Sequence, residues 1–117
     1  GHQRKRVDMK SVVCTKLGNP ELLEIKDTDK PQVSNDHVLV KVEAAGVNYP
    51  DALLVQGKYQ VVVEPPFIPG NEVCGYIEEV GENVNLEIGT KVIGLPEIGG
   101  FSEYVCLKSI FLKRSCL

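Results

Sequence analysis

The chain of 117 residues is long enough for one domain, and a domain of this size buries roughly two-thirds of the surface that its unfolded chain exposes. Its 43% hydrophobic and 25% charged residues exclude a disordered tail, and its net charge of −3 excludes the basic footprint of a nucleic-acid-binding protein. No apolar run reaches the ~20 residues that a transmembrane helix requires. We therefore expect one folded domain with no nucleic acid and no membrane among its partners.

The N-terminus carries basic residues but no apolar stretch after them, so it does not resemble a secretory signal. We interpret residues 1–8 as a tag-derived or disordered tail, in which Gly1 and His2 are the remnant of a tag. The basic run at residues 4–6 is typical either of a nucleic-acid or targeting patch or of a solvated tail. Three charges ahead of the first strand favour the solvated tail.

Four cysteines are scattered along the chain without a CxxC pair, which argues against a structural zinc site; they are Cys14, Cys74, Cys106 and Cys116. Their even number leaves two disulfides open as an alternative. Without a secretory signal, free thiols in a reducing compartment are favoured. The sequence therefore predicts an intracellular protein, either cytoplasmic or mitochondrial.

Short apolar runs between 11 glycines and 7 prolines predict a mainly β domain with many turns. The predicted strands, in chain order, are residues 11–16, 22–26, 37–46, 73–80, 91–95 and 102–107, with a turn at residues 17–20 after the first. No GxGxxG motif and no alternation of strands with long helices occurs in the sequence. We therefore predict no Rossmann domain in this chain.

The clearest strand is predicted at residues 37–46, where the sequence alternates. One face consists of Val38, Val40, Val42 and Ala44. The opposite face includes Lys41 and Glu43. The alternation predicts that the first face lies in the core and that the lysine and the glutamate face water.

One short helix is predicted at residues 49–56. Asn48 can cap its start, and Pro50 falls in the first turn, where a missing N–H is tolerated. Gly57 follows at a position where a left-handed cap is common. Downstream, the three prolines of residues 64–70 predict an extended path into the next strand.

Three ordered segments carry a resemblance to a known family. They are AGVNYPD at 45–51 with GKY at 57–59, PGNEVCGYIEEVG at 69–81, and GTKVIG at 89–94 with GGFSEYV at 99–105. In order and spacing they resemble the GroES-like, alcohol dehydrogenase-like domain of the medium-chain dehydrogenase/reductase superfamily. The resemblance implies a partly open β-barrel, with residues 9–112 as the catalytic, substrate-side domain and residues 113–117 as a truncated C-terminal tail. Gly75 is expected to let another backbone or a ligand come close, or to serve barrel packing alone.

The sequence departs from the zinc-dependent members of that family. In those members a cysteine opens the short helix and a histidine follows the Pro-Gly of the second segment, and both bind zinc. Asn48 and Asn71 stand at these positions, and an amide is a poor zinc ligand. The four-cysteine lobe before the third segment is missing, and Pro50 replaces the hydroxyl residue of the proton relay. The resemblance therefore implies no metal site and no zinc.

What remains resembles the quinone oxidoreductase branch, in which Asn48, Asp51 and Tyr59 match a Gly-Val-Asn, Asp, Gly-x-Tyr pattern. This implies an enzyme that uses NADPH to reduce a small quinone or enone. Tyr59 and Asn48 are the implied catalytic residues, and Asn48 and Asn71 are the implied cofactor-binding residues that face the nicotinamide. A further tyrosine of the branch is Leu53 here.

Plainer roles are kept for several of these residues. Asp51 is favoured as a structural carboxylate that ties the helix down, Glu72 can simply hold its loop, and Tyr59 can be an ordinary core or surface residue. The chain by itself is expected to be inactive, since it has no cofactor-binding domain. The alternative is a truncated, non-catalytic isoform that acts as a binding module, and a co-chaperonin is disfavoured because it has no use for the motifs at 48–51 and 69–81. Exposed strand edges make a homo-oligomer possible.

Overall fold

The structure is a computed structural model and describes residues 7–114. The tag remnant, the basic run at residues 4–6 and Cys116 lie outside the described residues. The strands and the helix of the described part are β1 (Asp8–Val13), β2 (Glu24–Asp29), β3 (His37–Ala45), α1 (Tyr49–Gln56), β4 (Val73–Val80), β5 (Lys91–Gly94), β6 (Tyr104–Lys108) and β7 (Leu112–Arg114). Short 3-10 turns occur at Pro20–Leu22 and Ser109–Phe111.

The strands form two antiparallel sheets. β1 and β2 pair with each other, and the other five strands follow the order β6-β3-β4-β5-β7. Bridges from Ser11 to Ser102 and from Cys14 to Phe67 attach the small sheet to loops of the large one. These features confirm the predicted mainly β, partly open barrel with one short helix. None of the helical segments between residues 7 and 114 is long and apolar enough to cross a membrane.

Two apolar clusters form the interior. The larger lies within the five-stranded sheet and consists of Val38, Val40, Val73, Ile77, Val92, Val105 and Leu107. The smaller lies under helix α1 and consists of Cys14, Leu54, Val55 and Phe67. The helix is therefore held against the end of β1 and the loop before β4, away from the main core.

Close pairing of β3 with β4 depends on a glycine. A Cβ built on Gly75 would lie 2.1 Å from the carbonyl oxygen of Lys41, a separation that real atoms do not reach. The two backbones therefore approach each other where any side chain would hold them apart. This is the close backbone approach that the sequence predicts for Gly75.

The predicted alternation of β3 is correct in its first half and wrong at Ala44. Val38 and Val40 are fully buried, as expected. Leu39, on the opposite face, is fully buried as well, so this end of the strand is covered on both sides. A register shift between Val42 and Ala44 breaks the alternation, and Ala44 is exposed instead of lying in the core.

The first two strands are displaced from their predicted ranges, by three residues at the start of β1 and two at the start of β2. β1 begins at Asp8 because it pairs with Asp29 of β2, so the charged end of each strand is held by the other backbone. β7 is an addition to the predicted strands, and it pairs Arg114 with Val92. The last strand thus extends two residues into the segment assigned to the tail. Charged side chains on sheet edges carry no apolar pattern, which explains these differences.

Candidate functional site

The start of helix α1 is fixed by a carboxylate. Asn48 occupies the N-cap position with extended backbone, and its N–H donates to Oδ2 of Asp51 over 2.9 Å. Asp51 is 2% exposed, and its own N–H donates to the carbonyl oxygen of Asn48 over 3.0 Å. The helix begins and ends at the predicted residues, and Asp51 ties its start down as interpreted from the sequence.

The end of the helix determines where Tyr59 lies. Gly57 adopts the left-handed conformation, with φ of 71° and ψ of 21°, and its N–H donates to carbonyls of the last turn. The N–H of Lys58 donates to the carbonyl of Leu53 over 2.8 Å, which closes the helix end. Directly after this turn, Tyr59 is half-buried against the small apolar cluster under α1.

Asn71 is delivered by a tightly packed loop. Gly70 has a φ of 113°, and a Cβ there would lie 2.7 Å from the backbone nitrogen of Phe101. The N–H of Phe101 donates to the carbonyl of Pro69 over 2.9 Å, and the N–H of Gly46 donates to the carbonyl of Glu72 over 3.0 Å. The loop is therefore anchored on both sides of Asn71.

The two asparagines at the former zinc positions are hydrogen-bonded to each other. Nδ2 of Asn48 donates to Oδ1 of Asn71 over 2.9 Å, and both side chains are half-buried. Two neutral amides offer neither the thiolate nor the imidazole that zinc prefers. Among residues 7–114, no three histidine, cysteine, aspartate or glutamate side chains converge in a way that could hold a metal ion.

A cavity of about 400 Å³ lies beside the helix. Its lining residues are Pro50, Leu54, Tyr59, Val61, Val63, Asn71, Leu95, Pro96, Glu97 and Ile98. The structure thus brings Tyr59 and Asn71 into one recess, and Asn48 reaches it only through its bond to Asn71. The lining is mostly apolar, and Glu97 is its one charged residue.

Sequence reasoning missed most of the walls of this cavity. Val61 and Val63 lie in the loop after Tyr59, outside every predicted element, and of residues 95–98 only Leu95 falls in a predicted strand. Both segments are non-repetitive, so no periodicity marks them. The amino-acid composition was the available signal. Apolar residues and Pro96 occur in a loop whose solubility requires neither.

Two of the cysteines lie in surroundings that disfavour the thiolate. Cys14, under helix α1, is fully buried, and that burial raises the pKa of its thiol. Burial likewise raises the pKa of the Cys106 thiol. Cys14, Cys74 and Cys106 are free, in agreement with the favoured alternative of thiols over disulfides.

The antiparallel open barrel, with two donor side chains at one wall of an apolar cavity, defines a ligand-binding barrel of the dehydrogenase type. The chain belongs to the medium-chain dehydrogenase/reductase superfamily, as a quinone oxidoreductase-like member. Residues 34–114 match the family model described as the alcohol dehydrogenase GroES-like domain.

Individual proteins agree with this assignment. A quinone oxidoreductase-like protein 2 homolog of Nematostella vectensis is 36% identical over 103 residues, which cover 87% of this chain and 28% of that protein. The crystal structure of a probable oxidoreductase from Mycobacterium abscessus matches with a TM-score of 0.90 and 34% identity, covering 94% of this chain and 35% of that one.

A third similar protein has been solved with a cofactor. The quinone oxidoreductase of Thermus thermophilus, whose structures include a complex with NADPH, matches with a TM-score of 0.77 and 35% identity, covering 91% of this chain and 32% of that one. The chain therefore spans about a third of the length of the solved structures that it matches.

Proposed function

We propose that this chain is the substrate-side domain of a zinc-independent, NAD(P)H-dependent quinone or enone oxidoreductase. The observation that carries the proposal is the shared cavity, in which Tyr59 and Asn71 provide hydrogen-bond donors at a mostly apolar surface. Such a recess suits a small, flat, uncharged substrate with one carbonyl group to be recognised. Similar proteins named quinone oxidoreductases support the reaction class.

Reduction of an enone requires hydrogen-bond donors at the carbonyl oxygen of the substrate. Reduction of an enone adds a hydride to the β-carbon and a proton to the enolate that results, so negative charge develops on the carbonyl oxygen. When bound, NADPH supplies the hydride and becomes NADP⁺. The Tyr59 hydroxyl and the Asn71 amide can donate hydrogen bonds to that oxygen, and Asn48 adjoins them through its bond to Asn71. The proton comes from Tyr59 or from water.

The apolar side chains of the cavity also help to stabilise the charge that develops on the carbonyl oxygen. Leu54, Val61 and Val63 compete for no hydrogen bonds and exclude water from the carbonyl group. Hydrogen bonds to a developing charge are stronger where water is excluded. A lining with a single charged residue, Glu97, also suits an uncharged quinone or enone better than an anionic substrate.

The residues of this chain fit a nicotinamide on one side only. Asn48 and Asn71 are neutral and half-buried, and we propose that they face the nicotinamide ring. The sequence offers no glycine-rich turn of the kind that holds a pyrophosphate. We therefore propose that the chain alone binds NADPH weakly and transfers no hydride.

The test compares this chain with a longer protein in which a cofactor-binding domain follows it. Calorimetric titration with NADPH should show no tight site on the 117 residues, whereas the longer protein should bind NADPH and oxidise it in the presence of a quinone or enone. Metal analysis of the active preparation should find far less than one zinc per chain. A longer protein that is inert on every quinone and enone tried would favour the non-catalytic binding module.

A further inference from the structure

The two asparagines do not stand in equivalent positions toward the cavity. Asn71 lines it together with Tyr59, while Asn48 is not among the lining residues. Only Asn71 can therefore reach a carbonyl oxygen that already lies within reach of the Tyr59 hydroxyl. The question is which end of the Asn71 amide is turned toward that oxygen.

The direction of the bond between the two asparagines answers it. Nδ2 of Asn48 is the donor and Oδ1 of Asn71 is the acceptor. A methyl group built on Gly46 would lie 3.6 Å from Nδ2 of Asn48 and 2.9 Å from Oε1 of Glu72. The Nδ2 end of Asn48 therefore lies near Gly46, and the Glu72 carboxylate lies near the same glycine.

With its oxygen engaged by Asn48, the Asn71 side chain has its nitrogen left for a ligand. Within residues 7–114, Nδ2 of Asn71 donates to no recorded acceptor. We infer that Asn71 is the catalytic donor to the substrate oxygen beside Tyr59, and that Asn48 is a positioning residue that holds the Asn71 amide in this orientation. The inference rests on the proposed function, and it gives the catalytic contact to Asn71, whereas the family resemblance implied Asn48 as the catalytic asparagine.

Both asparagines are held by backbone contacts that do not depend on their side chains. The N–H of Asn48 is fixed by the carboxylate of Asp51, and Asn71 follows the tightly packed Gly70. Neither amide has to search for its partner when a substrate arrives. Donors that are fixed before the reaction stabilise developing charge more effectively than donors that must reorganise.

The near-isosteric Asn→Asp substitutions separate the two roles. In Asn71→Asp the new carboxylate still accepts from Asn48, but the donor toward the cavity is gone. In Asn48→Asp the donor to Asn71 is gone, and the Asn71 amide turns its nitrogen toward the new carboxylate. Asn85→Asp, in an exposed loop, adds the same charge away from the cavity and is the matched control.

The measurement uses the 117-residue chain with cyclohex-2-en-1-one labelled with ¹³C at its carbonyl, and nuclear magnetic resonance on both ligand and protein. Wild type and Asn85→Asp should shift the carbonyl resonance downfield, as hydrogen bonding does. Asn71→Asp should lose most of this shift and bind the enone about tenfold more weakly, as loss of one hydrogen bond predicts. The Asn48 side-chain amide should stay protected from solvent exchange in Asn71→Asp.

Asn48→Asp should lose the carbonyl shift too, and the Asn71 amide should become the protected one. The opposite pattern, in which Asn48→Asp keeps the shift and Asn71→Asp frees the Asn48 amide, would mean that the bond runs the other way and would overturn the inference. If the wild-type chain binds the enone, and Asn71→Asp binds it with the same affinity and the same carbonyl shift, the inference is overturned as well. The proposed function would remain intact. If the enone changed none of the Tyr59 resonances in the wild-type chain, that result would instead count against the proposed function itself.

Discussion

Two recesses on this domain differ in size and in the state of their polar groups. The larger, about 680 Å³, is a groove lined by parts of β1 and β2, by Leu23, by residues 42–45 and 47, and by residues 100–103. The smaller, about 400 Å³, holds Tyr59 and Asn71. On volume and apolar character alone, the groove would be chosen as the site.

The polar side chains of the groove are largely engaged within the fold. Ser11 is hydrogen-bonded to Thr28 over 2.6 Å, Ser102 donates to two backbone carbonyls, and Glu103 accepts from the N–H of Lys10. In the smaller cavity, by contrast, no partner within residues 7–114 is recorded for the Tyr59 hydroxyl or for Nδ2 of Asn71. Free donors, rather than volume, therefore distinguish the cavity proposed as the site from the larger groove.

The strongest test of this difference between the two recesses is removal of the Tyr59 hydroxyl. In the longer protein that carries a cofactor domain, Tyr59→Phe should lower kcat by about 100-fold, within the range found when one donor to a developing oxyanion is lost. The affinity for NADPH should change little, because the hydroxyl is proposed to contact substrate. Steady-state kinetics and a cofactor titration measure the two effects separately.

Tyr76→Phe is the matched control for that prediction. Tyr76 lies on β4 and is 41% exposed, outside both recesses. Its variant should keep wild-type kcat. Equal losses in the two variants, or a loss in NADPH affinity that matches the loss in kcat, would contradict the role given to Tyr59.

A second comparison uses two buried polar residues, one at the start of the helix beside the smaller cavity and one in the lining of the groove. Asp51→Ala removes the acceptor at the start of α1, and Ser11→Ala removes the bond to Thr28 in the groove. We expect each to lower the free energy of unfolding by about 1–2 kcal/mol, as measured by urea denaturation. Both residues are 2% exposed, so their burial is matched.

The two variants should differ in where the structure loosens. Amide resonances of Tyr59 and Asn71 should move in Asp51→Ala, because the helix start carries Asn48, and should stay in place in Ser11→Ala. If Ser11→Ala disturbed Tyr59 as much as Asp51→Ala does, the two recesses would be mechanically one region, and the distinction between them would fail.

The smallest predicted effect concerns Cys14, beneath the cavity. Burial raises the pKa of its thiol above the ordinary value of 9.0, so the folded state holds the proton more tightly than the unfolded chain does. The stabilisation is fully present below pH 9 and is lost as the pH rises through the raised value. Urea denaturation between pH 8 and 10.5 should show a shallower alkaline decline in Cys14→Ala than in wild type, although its stability at pH 7 is lower. An unchanged slope would show that Cys14 titrates alike in both states.

Much of the fold follows from local patterns in the sequence. The bounds of α1 and β4 match their predictions because each has clear local signals: a cap and a left-handed glycine for the helix, and a Pro-Gly turn before the strand. β1, β2 and β7 could be placed only by their partners, since Asp8, Asp29 and Arg114 are held by pairing across the sheet. Ala44 was misassigned because a bulge depends on the register between two strands and not on one sequence.

For the site, the sequence identified positions but not their geometry. The chain order of the motifs pointed to Asn48, Tyr59 and Asn71, and the structure places the last two in one cavity with the first beside them. Which amide is the donor is set by the bond between Asn48 and Asn71, which are 23 residues apart in the chain and meet only in the fold. The cavity walls at Val61 and Pro96 could not be foreseen for the same reason.

The start of helix α1 has a consequence for protein engineering. The carboxylate of Asp51 accepts from the backbone N–H of residue 48, and the loop packing at Gly70 fixes the backbone of residue 71. Neither contact uses the side chain of residue 48 or residue 71. The backbone therefore holds residues 48 and 71 in place, and their side chains can be exchanged without changing it. Asn48→Cys together with Asn71→His should fold with the same backbone and offer a thiolate and an imidazole in place of two amides. The backbone that carries the two amides would then carry either pair of side chains.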